Sequence, residues 1–285
     1  MAFEVQFSPE HPIIKKRSKT MQLISQIIRL IPILALALFC TPSWATPQQM
    51  LSDLQLVRLN AAASMTNFYM YTGLDLDSRY KQRLEQNHAR FTQAFTSAEK
   101  IAAANSLTTE VAELKSTWQK FDQLVNDNLR EMERQGFPNV RLVDDMGNTS
   151  NQLIEMATAA RDKLYESSGI KASEVVTLSR ELALLMERIT AQYAARGTSN
   201  LGQVFVGNSE QTLPEMAEVF AKELQKLNKA ATFPGSENIL NSIQSKWRFM
   251  EERIRNYNQN AVVFLVVSYN DRIIEHLQEL EAQYL

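Results

Sequence analysis

Residues 111–125, VAELKSTWQKFDQLV, decide the fold class. Val111, Leu114, Trp118, Phe121 and Val125 recur at steps of three or four, which lines one face of an α-helix and fits no strand. The same step runs outward in both directions. Upstream it carries Leu84, Phe91, Phe95 and Ala98. Downstream it carries Leu213, Met216, Phe220, Leu224 and Leu227, then Ile239, Ile243, Trp247, Met250 and Ile254. Gly73, Gly136, Gly169 and Gly197 each close a periodic run, where a left-handed cap suits glycine. Ser78, Thr108 and Ser236 open new runs as N-caps, and residues 137–139 (FPN) and 233–235 (FPG) read as turns. Helices are expected near 48–72, 78–104, 108–135, 140–168, 171–196, 210–230, 236–257 and 259–284. The run 261–267, AVVFLVV, is the one strand-like stretch; it keeps helical register to Ile274, Leu277 and Leu280 and reads as a fully buried helix start. With only 8 Gly and 8 Pro in 285 residues, turn-rich β architectures are excluded and the fold is all-α.

The helices fall into two matching sets. Trp118 and Trp247 share the contexts Ser116-Thr117-Trp118 and Ser245-Lys246-Trp247, 129 positions apart. The same offset pairs Gln82, Leu84 and Phe91 with Gln211, Leu213 and Phe220, and an offset of 124 pairs Thr66, Tyr69 and Gly73 with Thr190, Tyr193 and Gly197. The difference falls in the longer loop at 198–209. Two tandem up-down four-helix-bundle-like units follow, 46–169 and 170–285, with sequence neighbours antiparallel because their loops are short.

The first 45 residues read as targeting. Lys15, Lys16, Arg17, Lys19 and Arg29 precede an apolar run at 30–39, and Ser43-Trp44-Ala45 offers small residues before a cut after Ala45. Met21 is an alternative start, since 21–45 already holds every needed part. The apolar core at 27–40 is shorter than the roughly 20 residues that span a bilayer, so cleavage is expected rather than anchoring. Cleavage would remove five basic and two acidic residues, leaving a charge of −5, and would take away Cys40, the only cysteine. The mature chain then has no thiolate ligand and no disulfide, which suits a periplasmic location. The charge balance gives no sign of nucleic-acid binding.

Catalytic chemistry is sparse. Glu85 and His88 have the Glu-x-x-His spacing of a di-iron bundle helix, but a second copy is missing, and His88 reads as a hydrogen-bonded core or boundary residue. No Cys-x-x-Cys-His, Gly-x-Ser-x-Gly or phosphate-cradling loop occurs. No cofactor, metal or enzymatic activity is expected. Binding remains, through polar residues on or near the helix stripes: Arg58, Asn60 and Ser64 on the first helix, Arg180 and Arg188 on the fifth, with Asn270 on the last stripe. An inward arginine could hold a small anion with its fork of donors; an outward one would snorkel to solvent.

Residues 178–189, LSRELALLMERI, resemble the first-helix box (roughly L-S-G-R-Q-R-M-L-S-Q-R-I) of the periplasmic N-terminal domain of type IV pilus methyl-accepting chemotaxis transducers. That domain is related to the sensing domain of nitrate/nitrite sensor kinases. Leu178, Ser179, Leu185, Arg188 and Ile189 match, and residues 59–65 (LNAAASM) keep an echo. The resemblance implies a periplasmic sensor domain that binds a small anion or metabolite, pairs helices in a homodimer, and works with an inner-membrane chemoreceptor, sensor kinase or pilus component. In the nitrate-sensing relatives a box arginine holds the anion. Here those positions are Glu181 and Ala183, and Ala62 and Ser64 in the first half, while Arg180 is displaced by one and only Arg188 stays in place. Nitrate binding is therefore not implied. The expected function is a non-enzymatic sensor-like protein binding a small ligand or a membrane-protein partner; the alternative is a ligand-free accessory of an envelope or pilus system.

Overall fold

The computed structural model describes residues 46–198, 211–258 and 262–285. These form eight α-helices and no strand. They are α1 (Pro47–Gly73), α2 (Ser78–Ala102), α3 (Thr108–Gln135), α4 (Val140–Ser168), α5 (Glu174–Thr198), α6 (Leu213–Ala230), α7 (Ser236–Arg255) and α8 (Val263–Ala282), with a 3-10 turn at Ala103–Asn105 after α2. The proposed export segment lies outside the described residues, as do most of the 198–209 loop and the start of the 261–267 run.

Helix starts follow local hydrogen bonding rather than the nearest hydroxyl. Asp77, not Ser78, caps α2 by accepting from the Arg79 N–H. Ser236 is likewise the first residue of α7; its hydroxyl meets Gln283 and Tyr284 instead of a helix N–H. Thr108 also lies inside its helix, after Leu107, which makes no side-chain cap. At α6 a full capping box forms: Thr212 accepts from the Glu215 N–H while Glu215 accepts from the Thr212 N–H, with Pro214 in the first turn. Gly136 and Gly169 end α3 and α4 in the left-handed region, at φ of 75° and 68°. Gly73 and Gly197 instead lie within the last turns of α1 and α5.

Each set of four helices closes on itself: α1 meets α2 and α4, and α3 bridges those two; α5 meets α6 and α8, and α7 bridges them. The aromatic packing repeats with the sequence. Phe91 and Trp118 lie 6.0 Å apart in the first set, and their counterparts Phe220 and Trp247 lie 4.2 Å apart in the second. The sets share one compact body through α1 and α5. Contacts step together along both helices: Ser52 with Arg180, Arg58 with Glu181, Thr66 with Glu187. The two helices therefore run parallel.

This placement leaves α1 covered on nearly every side; 19 of its 27 residues are buried. Polar residues of α1 and α5 thus enter the interior, where each needs a partner. At the start of α8, Val263, Val266 and Val267 are buried, but Phe264 and Leu265 are 54% and 42% exposed. The helical register expected there holds; complete burial does not, because neighbouring helices cover only one stripe of α8.

Candidate functional site

Arg58, on α1, is buried and turned inward. Its guanidinium donates to both oxygens of Glu181, at 3.0 and 2.7 Å, and to Gln55 Oε1 at 3.0 Å. Arg161 of α4 joins the same carboxylate. Although burial opposes it, the two arginines hold the Glu181 carboxyl below its ordinary range. Arg180, equally buried, donates through Nε to Glu281 at 2.7 Å. Both inward arginines are thus neutralised by carboxylates of the chain itself.

Arg188 differs. It is half-buried and has no hydrogen bond or ion pair among the described residues. Burial pushes its pKa down; Glu155 opposes this and the nearby Arg58 adds to it. It lines a gap of about 20 Å3 with Ser150, Asn151 and Gln192. A space that size admits about one water and no polyatomic anion.

Asn60 and Ser64 lie elsewhere, in the wall of and behind a cleft of about 560 Å3 bounded by α1, α2, α5 and α8. Asn60 lines the cleft and donates to the Leu56 carbonyl. Ser64 donates to the Asn60 carbonyl and accepts from Asn87, which also lines the cleft, at 3.4 Å. The five residues picked out by sequence therefore do not form one site. They divide among an ion-paired seam, the Arg188 gap and the cleft.

The cleft contains what sequence reasoning passed over. Glu187, 5% exposed, lines it with its carboxylate accepting from the Thr66 hydroxyl at 2.7 Å and from Asn270 Nδ2 at 2.9 Å. Burial raises the Glu187 pKa against those two hydrogen bonds, with Asp271 adding to the rise and Arg83 opposing it. Asn67, 2% exposed, also lines the cleft, and its amide oxygen has no partner; the Asn270 amide oxygen is similarly unpartnered. On the walls Arg83 pairs with Asp271 at 2.7 Å. Arg90 is exposed and makes no ion pair among the described residues. A sequence signal for this site exists: Asn60, Ser64 and Asn67 form one polar stripe at helical spacing on α1, and Glu187 is the carboxylate one turn below Thr190 on α5.

His88 is exposed, its side chain 50% accessible, rather than a core or boundary residue. Its ring sits 5.5 Å from Trp118, and Nδ1 lies 2.6 Å from Asp122 Oδ1. Among the described residues no group of three or more His, Cys, Asp or Glu side chains is placed to hold a metal ion. Comparison with known protein families, curated proteins and solved structures found no match.

Proposed function

We propose that this chain is an exported, non-catalytic sensor-type protein that binds a small polar ligand in the cleft over Glu187. One observation carries the reading. A cavity of ligand size is lined by Glu187, whose carboxylate is buried, and by Asn67, whose buried amide oxygen has no hydrogen-bond partner among the described residues. Interior polar groups normally have partners, so the cleft wall carries hydrogen-bonding capacity that the described residues leave unused. The lining comes from both four-helix sets, so a ligand there would bias how α1 and α5 pack across their shared seam. Export to the periplasm is supported by residues 21–45, and action through an inner-membrane chemoreceptor, sensor kinase or pilus component by the resemblance of residues 178–189. Among the described residues no helix is long and apolar enough to cross a membrane.

The test is a thermal-shift screen of metabolites against the purified protein and an Ala63→Phe variant, since Ala63 lines the cleft and a phenyl ring there would intrude on the space a ligand needs. The reading expects at least one compound to raise the melting temperature of the wild type and not of the variant. Stabilisation that survives in the variant, or none at all, contradicts it. The second reading, a ligand-free accessory protein, is favoured by exposed Phe264 and Leu265 on α8. It expects capture of an envelope protein that substitution of these two residues by Ser abolishes.

A further inference from the structure

Resting on that reading, the cleft's residual charge and hydrogen-bonding capacity define a ligand class. Of the charged residues lining it, Arg83 and Asp271 cancel each other, and Glu275 pairs with Arg272 at the rim. What remains is a carboxyl group at depth, Glu187, and outside it Arg90, a cation with no ion pair among the described residues. The deep end is rich in acceptors. Asn67 Oδ1 is buried and without a partner, Asn270 Oδ1 is too, and the Glu187 carboxylate takes one donor on each oxygen and has acceptor capacity left. Asn270 is tied to this end because its own nitrogen donates to Glu187.

An anion would sit against the Glu187 carboxyl there, and a neutral sugar would answer neither Glu187 nor Arg90. A primary ammonium brings three N–H donors, no acceptor and a positive charge. We infer that the cleft takes a small amino acid, its ammonium seated on Glu187 and Asn67 at the deep end and its carboxylate facing Arg90 at the rim. A volume of about 560 Å3 leaves room for a side chain beside the two poles.

The probes are the twenty common amino acids and γ-aminobutyrate, tested by thermal shift on the full protein, with calorimetric titration of any that stabilise it. At least one should bind, and its N-acetyl derivative, which lacks the ammonium, should not. Glu187→Gln keeps the side-chain shape and should weaken binding on the order of 10- to 100-fold, as loss of a charge-assisted hydrogen bond does. Arg90 is exposed, so Arg90→Gln should fold normally. It should weaken the amino acid about tenfold while leaving the matching decarboxylated amine unchanged. No shift with any probe overturns the inference, as does equal binding of the N-acetyl form or undiminished binding by Glu187→Gln. An amine that binds as tightly as its amino acid overturns the Arg90 pole. If a sugar or inorganic anion binds instead and Ala63→Phe abolishes it, the ligand class falls and the cleft stands. If nothing depends on Ala63, both fall.

Discussion

Arg58 of α1 and Glu181 of α5 meet through a two-pronged hydrogen bond, 3.0 and 2.7 Å, across the seam that joins the two four-helix sets. The chain supplies its own carboxylate to the inward guanidinium, which gives a physical reason for the seam to reject an external anion. Arg180, the preceding residue of α5, is likewise paired with a carboxylate of the chain, Glu281 of α8, within the second set.

Glu181→Gln should therefore destabilise the protein, because Arg58 stays buried while its charge partner is gone. The Glu181 side chain is 44% exposed, so the loss is smaller than for a fully buried pair, about 1–2 kcal/mol in urea unfolding. The folded pKa of Glu181 is depressed, so its contribution is present above the unfolded value, ordinarily 4.5, and disappears as pH falls through the folded value. The wild-type advantage over Glu181→Gln should shrink on acidification from pH 5 downward. An advantage independent of pH contradicts the assignment.

Glu187 carries the opposite sign. Its folded pKa is raised above 4.5, so the folded state holds the proton more tightly than the unfolded chain. Stability should then fall as pH rises from about 4.5 through the folded value, where the buried carboxyl loses its proton. Glu187→Gln removes that slope, and its melting temperature relative to wild type should rise over the same window. A variant that becomes relatively less stable with rising pH contradicts the burial argument.

The capping box at α6 should be measurable. Thr212→Ala removes the acceptor for the Glu215 N–H and should cost about 1 kcal/mol in chemical denaturation, with the unfolding slope unchanged. No change in the denaturation midpoint would mean that the helix start is held by Pro214 and tertiary packing alone.

The repeat predicts an asymmetric pair. Trp247 is 4% exposed and packs on Phe220, so Trp247→Ala should cost about 3–5 kcal/mol. Trp118, only partly buried against Phe91 and Phe95, should cost clearly less in the same substitution. Trp247→Phe should recover most of the loss, because the buried indole N–H has no partner to leave behind. Equal costs for the two tryptophans would argue that burial does not rank them.

Most of the eight helices were legible because their stripes are amphipathic; Val111 to Val125 and Leu213 to Leu227 lie in the helices their periodicity predicts. Helix starts were less legible. Asp77, Ser78, Thr108 and Ser236 all suit a cap by composition, and only backbone geometry picks Asp77. The exposure of Phe264 and Leu265 could not be read from a run that is apolar on every face. For the site, the polar stripe of α1 was visible in Asn60 and Ser64, but whether a polar residue faces a cavity or a carboxylate depends on the helix opposite. Arg58 reads as a ligand holder and holds Glu181; Glu187, which no motif singles out, lines the cleft. Periodicity assigns a face and cannot supply its partner.

The central claim, that the cleft over Glu187 is where a ligand binds, is tested most directly by amide hydrogen exchange of the full protein, with and without the compound that stabilises it most. The account predicts added protection in three separated segments together: 56–67 of α1, 83–90 of α2 and 271–278 of α8, which line the cleft. Protection confined to α6 and α7, or to the 62–65 and 150–154 segments beside Arg188, would contradict it.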